Sequence, residues 1–88
     1  MKAEQIAVKV DPELRALIPP VSEGERAMLE ASLLAEGCRD ALVIWEGHDT
    51  LLDGHTRRDI CKQHGIKYEV TEVACTDRAA AKEWIIRN

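Results

Sequence analysis

Aromatic side chains are scarce in this 88-residue sequence, which has two tryptophans, one tyrosine and no phenylalanine. A hydrophobic core must therefore be built mainly from leucine, isoleucine, valine and alanine. A chain of this length buries only about 60% of the surface that its unfolded form exposes, which is enough for one domain with a modest core. We predict a single domain that spans residues 1–88.

The sequence also lacks long apolar runs, and no stretch approaches the roughly 18 residues that a membrane-spanning helix requires. The first residues, Met1 to Gln5, lack the apolar centre of a secretory signal peptide. We therefore predict a protein of the cytoplasm that has no membrane partner.

Cysteine is sparse, and Cys38, Cys61 and Cys75 form no C-x-x-C pair. Such spacing supports neither a structural zinc site nor a redox motif. The histidines likewise lack metal-ligand spacing, so we predict no metal site. Cys61 stands beside Ile60 at an apolar position of a helical pattern, which favours a reduced thiol in the core.

Acidic residues outnumber basic ones, and the formal net charge is −4. Non-specific affinity for DNA comes from neutralising phosphates, so this balance argues against tight duplex binding by residues 1–88 alone. Three basic residues nevertheless follow Gly54, namely Arg57, Arg58 and Lys62. A small basic pocket on an acidic domain suits a nucleotide or another compact phosphate anion.

Hydrophobic periodicity and turn residues divide the chain into strands and helices. Ser22 and Glu25 form a capping-box pattern for a helix that Gly37 ends, and Asp77 is the expected cap of a last helix that reaches Trp84. The other predicted elements are strands over 6–10, 41–45, 50–53 and 67–73, and a short helix over 55–64 before Gly65. This order predicts an α+β fold with a small mixed β-sheet and packed helices.

The most informative stretch is the junction at which a strand ends and Gly54 leads into a helix. Such a junction points free backbone N–H groups and the positive helix end at a ligand, and neighbouring arginines favour a phosphate. Arg57 is the strongest candidate side chain, whereas Arg58 is expected to be a solvated neighbour. The alternative is a plain surface turn, in which Thr56 caps the helix and His55 is exposed. The predicted phosphate contacts are Gly54, His55, Thr56, Arg57 and Arg58.

The same junction carries a resemblance to a known family. The run from Asp53 to Arg57, followed by Gly65, resembles the D-G-H-x-R…G signature of ParB/sulfiredoxin-like domains. The segment with Leu29, Ser32, Leu33, Gly37 and Leu42-Val43-Ile44 resembles a second segment of the family, with Ala41 where proline is usual. The last residues, 84–88, resemble the start of its E-N-x-Q-R segment, with Arg87 in place of the glutamate.

The resemblance implies a ParB/sulfiredoxin-like fold and a nucleotide- or phosphate-binding domain of a ParB-like DNA-binding protein, of partition or mobile-element type. It implies that Asn88 joins the phosphate contacts and that Gly37, Cys38 and Arg39 lie near the nucleotide base. The ligand would be a nucleoside triphosphate such as CTP or ATP with Mg²⁺. The chain would be a domain excised from a longer protein, contacting DNA through a region beyond Asn88, and a homodimer would be compatible with this picture.

Two departures from the family leave other functions open. Sulfiredoxins hold a catalytic cysteine in a G-C-H-R turn, but here His55 follows Gly54 directly, so sulfiredoxin chemistry is not expected. ParB proteins have G-E-R-R at this turn, and its glutamate is absent, which leaves weak NTPase activity an open question. The alternatives are a sulfiredoxin-like or nuclease-type enzyme and a protein-interaction or dimerisation module.

Overall fold

A computed structural model describes residues 8–88 and shows an α+β fold, as the sequence predicts. Within these residues, a three-stranded mixed sheet is combined with four helices. The elements are α1 (Pro12–Arg15), α2 (Glu23–Glu36), β1 (Leu42–Trp45), β2 (Thr50–Asp53), α3 (His55–His64), β3 (Val70–Val73) and α4 (Arg78–Arg87).

The sheet has the order β2-β1-β3, so β1 is central. β1 and β2 form an antiparallel hairpin, and β3 runs parallel to β1 with Leu42 opposite Val70. The predicted strand over 6–10 is seen only as a single bridge between Lys9 and Thr50, while Ile6 and Ala7 lie outside the described residues. The strand predicted over 67–73 is confined to its second half, Val70–Val73.

The predicted helix caps of α2 and α4 are confirmed. The Ser22 hydroxyl accepts a hydrogen bond from the Glu25 N–H at 3.1 Å, and the Glu25 carboxylate accepts from the Ser22 N–H at 3.0 Å. Asp77 accepts from the Ala80 N–H at 2.8 Å. Each cap supplies acceptors to N–H groups that have no partner inside the helix, which fixes where the helix begins.

The short helix α1 directly follows the predicted strand over 6–10, and the apolar periodicity of the sequence does not predict it. In the structure, the Asp11 carboxylate accepts from the N–H groups of Glu13 and Leu14, and Pro12 occupies the first helical turn. An aspartate followed by proline is a helix-start signal as well as a strand terminator. The helix matters because it places Leu14 in the core and Arg15 at its edge.

The buried side chains are chiefly aliphatic, as the scarcity of aromatic residues predicts, and they form three clusters around the sheet. One joins α1 and α4 to the sheet, a second packs α3 against α2, and a third lies on the strands themselves. Their buried members are Leu14, Trp45, Leu52, Ala81 and Ile85; Leu33, Ile60 and Cys61; and Leu42, Ile44 and Leu51. Ile60 and Cys61 therefore hold α3 against α2, and β2 leads through Gly54 into the first turn of α3.

Cys61 is 1% exposed, which confirms its predicted place in the core. Among the described residues, 8–88, no helix has the length and apolar character needed to cross a lipid bilayer.

Candidate functional site

The junction between β2 and α3 has the strand–glycine–helix geometry that the sequence predicts. Gly54 is the N-cap of α3 and has a φ of +100°, a backbone conformation that side chains with a Cβ rarely adopt. A Cβ at this position would lie 2.6 Å from the Leu42 Cδ2 atom and 3.1 Å from the Arg57 Nη2 atom. Both the backbone angle and the packing therefore require glycine here.

The first turn of α3 offers backbone donors to a ligand. No side chain caps this helix start in the described part of the chain. The first N–H to bond within the helix belongs to Arg58, which donates to the Gly54 carbonyl at 2.8 Å. The N–H groups of His55, Thr56 and Arg57 precede it, so they can donate to an external acceptor. The alternative in which Thr56 caps the helix is wrong.

His55 is buried, which corrects the expectation of an exposed histidine. Its side chain is 4% exposed, and neither ring nitrogen has a hydrogen-bond partner among residues 8–88. Burial, reinforced by the positive charge of Arg15, lowers the pKa of His55 below its ordinary value, although Asp59 opposes this effect. The imidazole is therefore neutral at neutral pH, with one N–H donor and one acceptor that are both unsatisfied.

His55 and Thr56 line a cavity of about 260 Å³ together with two arginines that sequence analysis did not single out, Arg15 and Arg26. We call this space the arginine cavity. Arg15 comes from α1 and Arg26 from the first turns of α2, so only the tertiary fold brings them to the start of α3. No local sequence signal identifies either residue. The rest of the lining is Ile18, Pro19, Pro20, Val21 and Asp59.

Charge in the arginine cavity is only partly balanced. The Arg15 Nη2 atom lies 2.6 Å from the Asp59 carboxylate, and the Arg58 Nη1 atom lies 3.2 Å from it. Burial disfavours the charged carboxylate, but these two arginines outweigh it and hold the pKa of Asp59 below its usual value. In the described part of the chain, the Arg26 side chain makes one hydrogen bond, a long one of 3.4 Å to Gln63. Two guanidinium groups thus line the cavity against one carboxylate, which favours an anion.

Arg58 is not the freely solvated neighbour that was expected. Its side chain is 21% exposed and is paired with Asp59, and it is not among the residues that line the arginine cavity. Its effect on a ligand would therefore be indirect, through the charge and position of Asp59.

Arg57 lies on the other side of the first turn, in a second cavity of about 230 Å³ that we call the loop cavity. Its Nη1 atom donates to the Asp40 carbonyl at 2.7 Å, and its Nη2 atom lies 3.6 Å from the Asp53 carboxylate. The structure thus brings Arg57 together with the three residues predicted near a nucleotide base. The lining comprises Leu29, Ser32, Leu33, Glu36, Gly37, Cys38, Arg39, Asp40 and Arg57.

Asn88 lies apart from both cavities. It lines a third cavity of about 320 Å³ with Asp53 and apolar residues of α4, and its side-chain amide donates to the Trp84 carbonyl at 2.8 Å. The same carbonyl also accepts from the Asn88 backbone N–H at 3.1 Å, so Asn88 forms the C-terminal cap of α4. The structure therefore does not bring Asn88 together with Thr56 or Arg57 in one cavity.

A divalent cation would find no ready-made cluster of ligands in the described part of the chain. No group of three or more histidine, cysteine, aspartate or glutamate side chains converges within residues 8–88. The carboxylate nearest to the junction, Asp53, faces Arg57 at 3.6 Å. These residues do not fit a protein-built Mg²⁺ site, so an Mg²⁺ ion accompanying a nucleotide would be held by phosphate oxygens and water.

Comparison with known proteins assigns no family: no family model matches the chain, and neither the curated proteins nor the solved structures gave a match. The resemblance to ParB/sulfiredoxin-like domains accordingly stays a prediction from its motifs.

Proposed function

We propose that this protein binds a phosphate group, carried by a nucleotide, at the start of α3. The observation that carries the proposal is His55, a nine-tenths buried imidazole that has no hydrogen-bond partner within residues 8–88 and lines a cavity shared with two guanidinium groups. A buried polar group left without a partner costs about 1–3 kcal/mol, so a native structure that keeps one needs a reason. A ligand oxygen in the arginine cavity would provide the missing acceptor.

The donors around this cavity match the chemistry of phosphate. Its oxygens accept hydrogen bonds only, and here they would meet the backbone N–H groups of His55 and Thr56, the Thr56 hydroxyl and the guanidinium groups of Arg15 and Arg26. Hydrogen bonds between charged partners are about twice as strong as neutral ones, and the positive end of the α3 dipole adds to them. A neutral His55 can donate a ring N–H without bringing a charge into the core.

The loop cavity supports a nucleotide rather than a free phosphate. His55, Thr56 and Arg57 are consecutive, yet the first two line the arginine cavity and the third lines the loop cavity. A ligand that crosses the first turn of α3 would therefore meet both spaces. We propose that the phosphates lie at His55 and Thr56, that Arg57 holds a further phosphate oxygen, and that the base lies against Gly37 to Arg39.

The wider role proposed from the motifs is that of a cytoplasmic ParB-like protein that contacts DNA through a region beyond Asn88. The net charge of −4 supports assigning duplex binding elsewhere, because DNA affinity depends on neutralising phosphates. No cysteine stands in the turn at Gly54, which disfavours sulfiredoxin-type catalysis.

A thermal-shift titration with a nucleoside triphosphate tests the proposal. At a ligand concentration 100-fold above its Kd, binding stabilises the folded state by about 2.7 kcal/mol, which gives a measurable rise in Tm. We expect the rise with wild type and a much smaller rise with Arg26→Ala. Lys62→Ala is the matched control, because it removes a positive charge from an exposed position of α3 outside both cavities. Equal shifts in all three proteins, or none in wild type, would contradict the site.

A second candidate function, a dimerisation module, is favoured by one surface. The outer face of α2 is apolar and exposed, with Met28 77% and Leu34 56% accessible. Ala27, Ala31 and Ala35 are also exposed and share this face at helical spacing. Sedimentation equilibrium would show a concentration-dependent dimer that Met28→Lys weakens. A monomer at all concentrations would remove this candidate.

A further inference from the structure

Two thiols, those of Cys38 and Cys61, meet in one apolar cluster. Cys61 lies on α3 and is 1% exposed, whereas Cys38 lies in the loop after α2 and is half-buried. Cys38 packs against the cluster that contains Leu33, Ile60 and Cys61. Burial and the neighbouring Cys38 thiol raise the pKa of Cys61 to about 11, while Arg57 opposes the rise. The two side chains are therefore neighbours although 23 positions separate them in the sequence.

The two cysteines differ in access to small molecules. Cys38 lines the loop cavity, which is open to solvent, and Cys61 has almost no exposed surface. A small oxidant can therefore reach the Cys38 sulfur, and the Cys61 thiol lies behind it. A thiol that small molecules can reach, with a buried thiol beside it, is the arrangement that converts a first oxidation into a disulfide.

We infer that Cys38 and Cys61 are an oxidation site, at which a hydroperoxide converts the two thiols into an intramolecular disulfide. This inference is independent of the proposed nucleotide binding.

The reaction balances with the hydroperoxide as the oxidant. The Cys38 thiolate attacks the terminal peroxide oxygen, the O–O bond breaks, and the leaving hydroxide or alkoxide takes a proton, giving a sulfenic acid and water or an alcohol. The Cys61 sulfur then attacks the Cys38 sulfur, and the S–O bond breaks. The leaving hydroxide takes the Cys61 proton to form water. Two thiols lose two electrons in total, and the peroxide gains them.

Oxidation would also change the loop cavity. The Cys38 thiol donates to the Asp40 carbonyl at 3.5 Å, and the same carbonyl accepts from the Arg57 Nη1 atom at 2.7 Å. A disulfide has no S–H to donate, so the Asp40 carbonyl would lose the hydrogen bond from Cys38 and keep the one from Arg57. The oxidised loop would be tied covalently to α3, the helix that carries Arg57.

Peptide mapping after treatment with hydrogen peroxide tests the inference. Cleavage after lysine and arginine places the three cysteines in separate peptides, 27–39, 59–62 and 68–78. The oxidised protein is alkylated while unfolded and then cleaved without reduction. We expect peptides 27–39 and 59–62 to be joined, with a mass lower by two hydrogen atoms than their sum, while Cys75 in peptide 68–78 stays alkylated.

Three results would overturn the inference: a sulfinic acid on Cys38 beside an alkylated Cys61, a disulfide that joins two chains, or a linkage that includes Cys75. Cys75→Ser is the matched control and should retain the internal linkage in full. In Cys38→Ser, Cys61 should remain a thiol under the same treatment, and its oxidation at the wild-type rate would contradict the role given to Cys38. Because the linkage is read in the wild-type chain, the test does not depend on how well the variants fold.

Discussion

The two cavities beside the first turn of α3 differ in how their polar groups are satisfied. In the loop cavity, Arg57 already has partners within the protein, the Asp40 carbonyl and the Asp53 carboxylate. In the arginine cavity, His55 has none among the described residues, and Arg26 has only a long bond to Gln63. A charged side chain that has partners within the protein can contribute to stability alone, whereas a buried polar group without a hydrogen-bond partner is better explained by a ligand. Sequence motifs favour Arg57, but the geometry favours His55, Arg15 and Arg26.

The largest loss of stability is expected from a substitution at Gly54, in the junction that both cavities share. Gly54→Ala should lower the free energy of unfolding by about 3 kcal/mol, because it combines a left-handed backbone with a clash against Leu42. Gly65→Ala is the matched control: its φ is +67°, but a Cβ there meets nothing within 4 Å. It should cost only about 1 kcal/mol. Urea unfolding measures both, and equal losses would show that the packing at Gly54 is not tight.

The next prediction compares the stability of two variants, Arg57→Ala and Arg26→Ala. Arg57→Ala should lower the free energy of unfolding by about 1 kcal/mol, since it removes a charge-assisted hydrogen bond to the carbonyl of the exposed residue Asp40. It should also reduce the Tm rise caused by a nucleoside triphosphate, because Arg57 holds one phosphate oxygen in the proposed complex.

Arg26→Ala should change stability by less than about 0.5 kcal/mol, as is usual for a side chain without close partners, and still reduce the Tm rise. If instead Arg26→Ala destabilised the protein as much as Arg57→Ala, the contrast between the two cavities would fail.

The third effect concerns pH and the neutral state of His55. The pKa of His55 is lowered in the folded protein from an ordinary value of 6.5, so below that value the unfolded chain binds the proton more readily. This contribution to stability is complete above pH 6.5 and is lost as the pH falls toward the lower folded pKa. Urea unfolding should show that the free energy of unfolding of the wild type declines below pH 6.5. The decline should be smaller in His55→Gln and unchanged in the control His64→Gln. If the decline were the same in His55→Gln as in wild type, the pH dependence would come from groups other than His55.

A smaller effect is expected from the thiols. Cys61 and Cys75 should react slowly with an aromatic disulfide reagent in the folded protein, because burial raises the pKa of both. Cys61→Ser should leave nucleotide binding unchanged. Rapid labelling of Cys61 at neutral pH would show an accessible thiolate and would reopen the thiol-enzyme alternative.

The weakest effect is expected with DNA. Residues 1–88 carry a net charge of −4, so they should bind duplex DNA weakly and without sequence preference. Fluorescence anisotropy at physiological salt measures this. Tight and selective binding would place DNA contacts inside this domain and contradict the proposal that they lie elsewhere.

The elements that the sequence predicts best are those with local signals. The bounds of α2 and α3 are predictable because the residues that begin and end each helix set the local backbone conformation or cap it. These residues are Ser22 with its capping box, Gly37, Gly54 and Gly65. The hairpin of β1 and β2 follows from two short apolar runs around a turn. The strand predicted over 67–73 is longer than β3, which begins at Val70, because the apolar pattern does not show where hydrogen bonding to β1 begins.

The site was only partly predictable for a related reason. The glycine junction and the proximity of Arg57 to Gly37, Cys38 and Arg39 agree with the motif, because the motif residues lie on adjoining elements. The burial of His55 and the approach of Arg15 and Arg26 depend on how α1 and α2 pack against α3, which no short pattern encodes. Asn88 was placed with the phosphate contacts by resemblance alone, and its amide instead bonds to the Trp84 carbonyl.

The most direct test of phosphate binding at α3 is a ¹H–¹⁵N NMR titration with a nucleoside triphosphate that follows backbone amides and the His55 ring. We expect the amides of His55 and Thr56 and a ring nitrogen of His55 to shift first and furthest, in a saturable manner that Arg26→Ala weakens. Amides around Asn88 and Met28 should stay unchanged, since both residues lie outside the two cavities. No shift at His55 and Thr56 under saturating nucleotide, or shifts of equal size over the whole surface, would contradict the account.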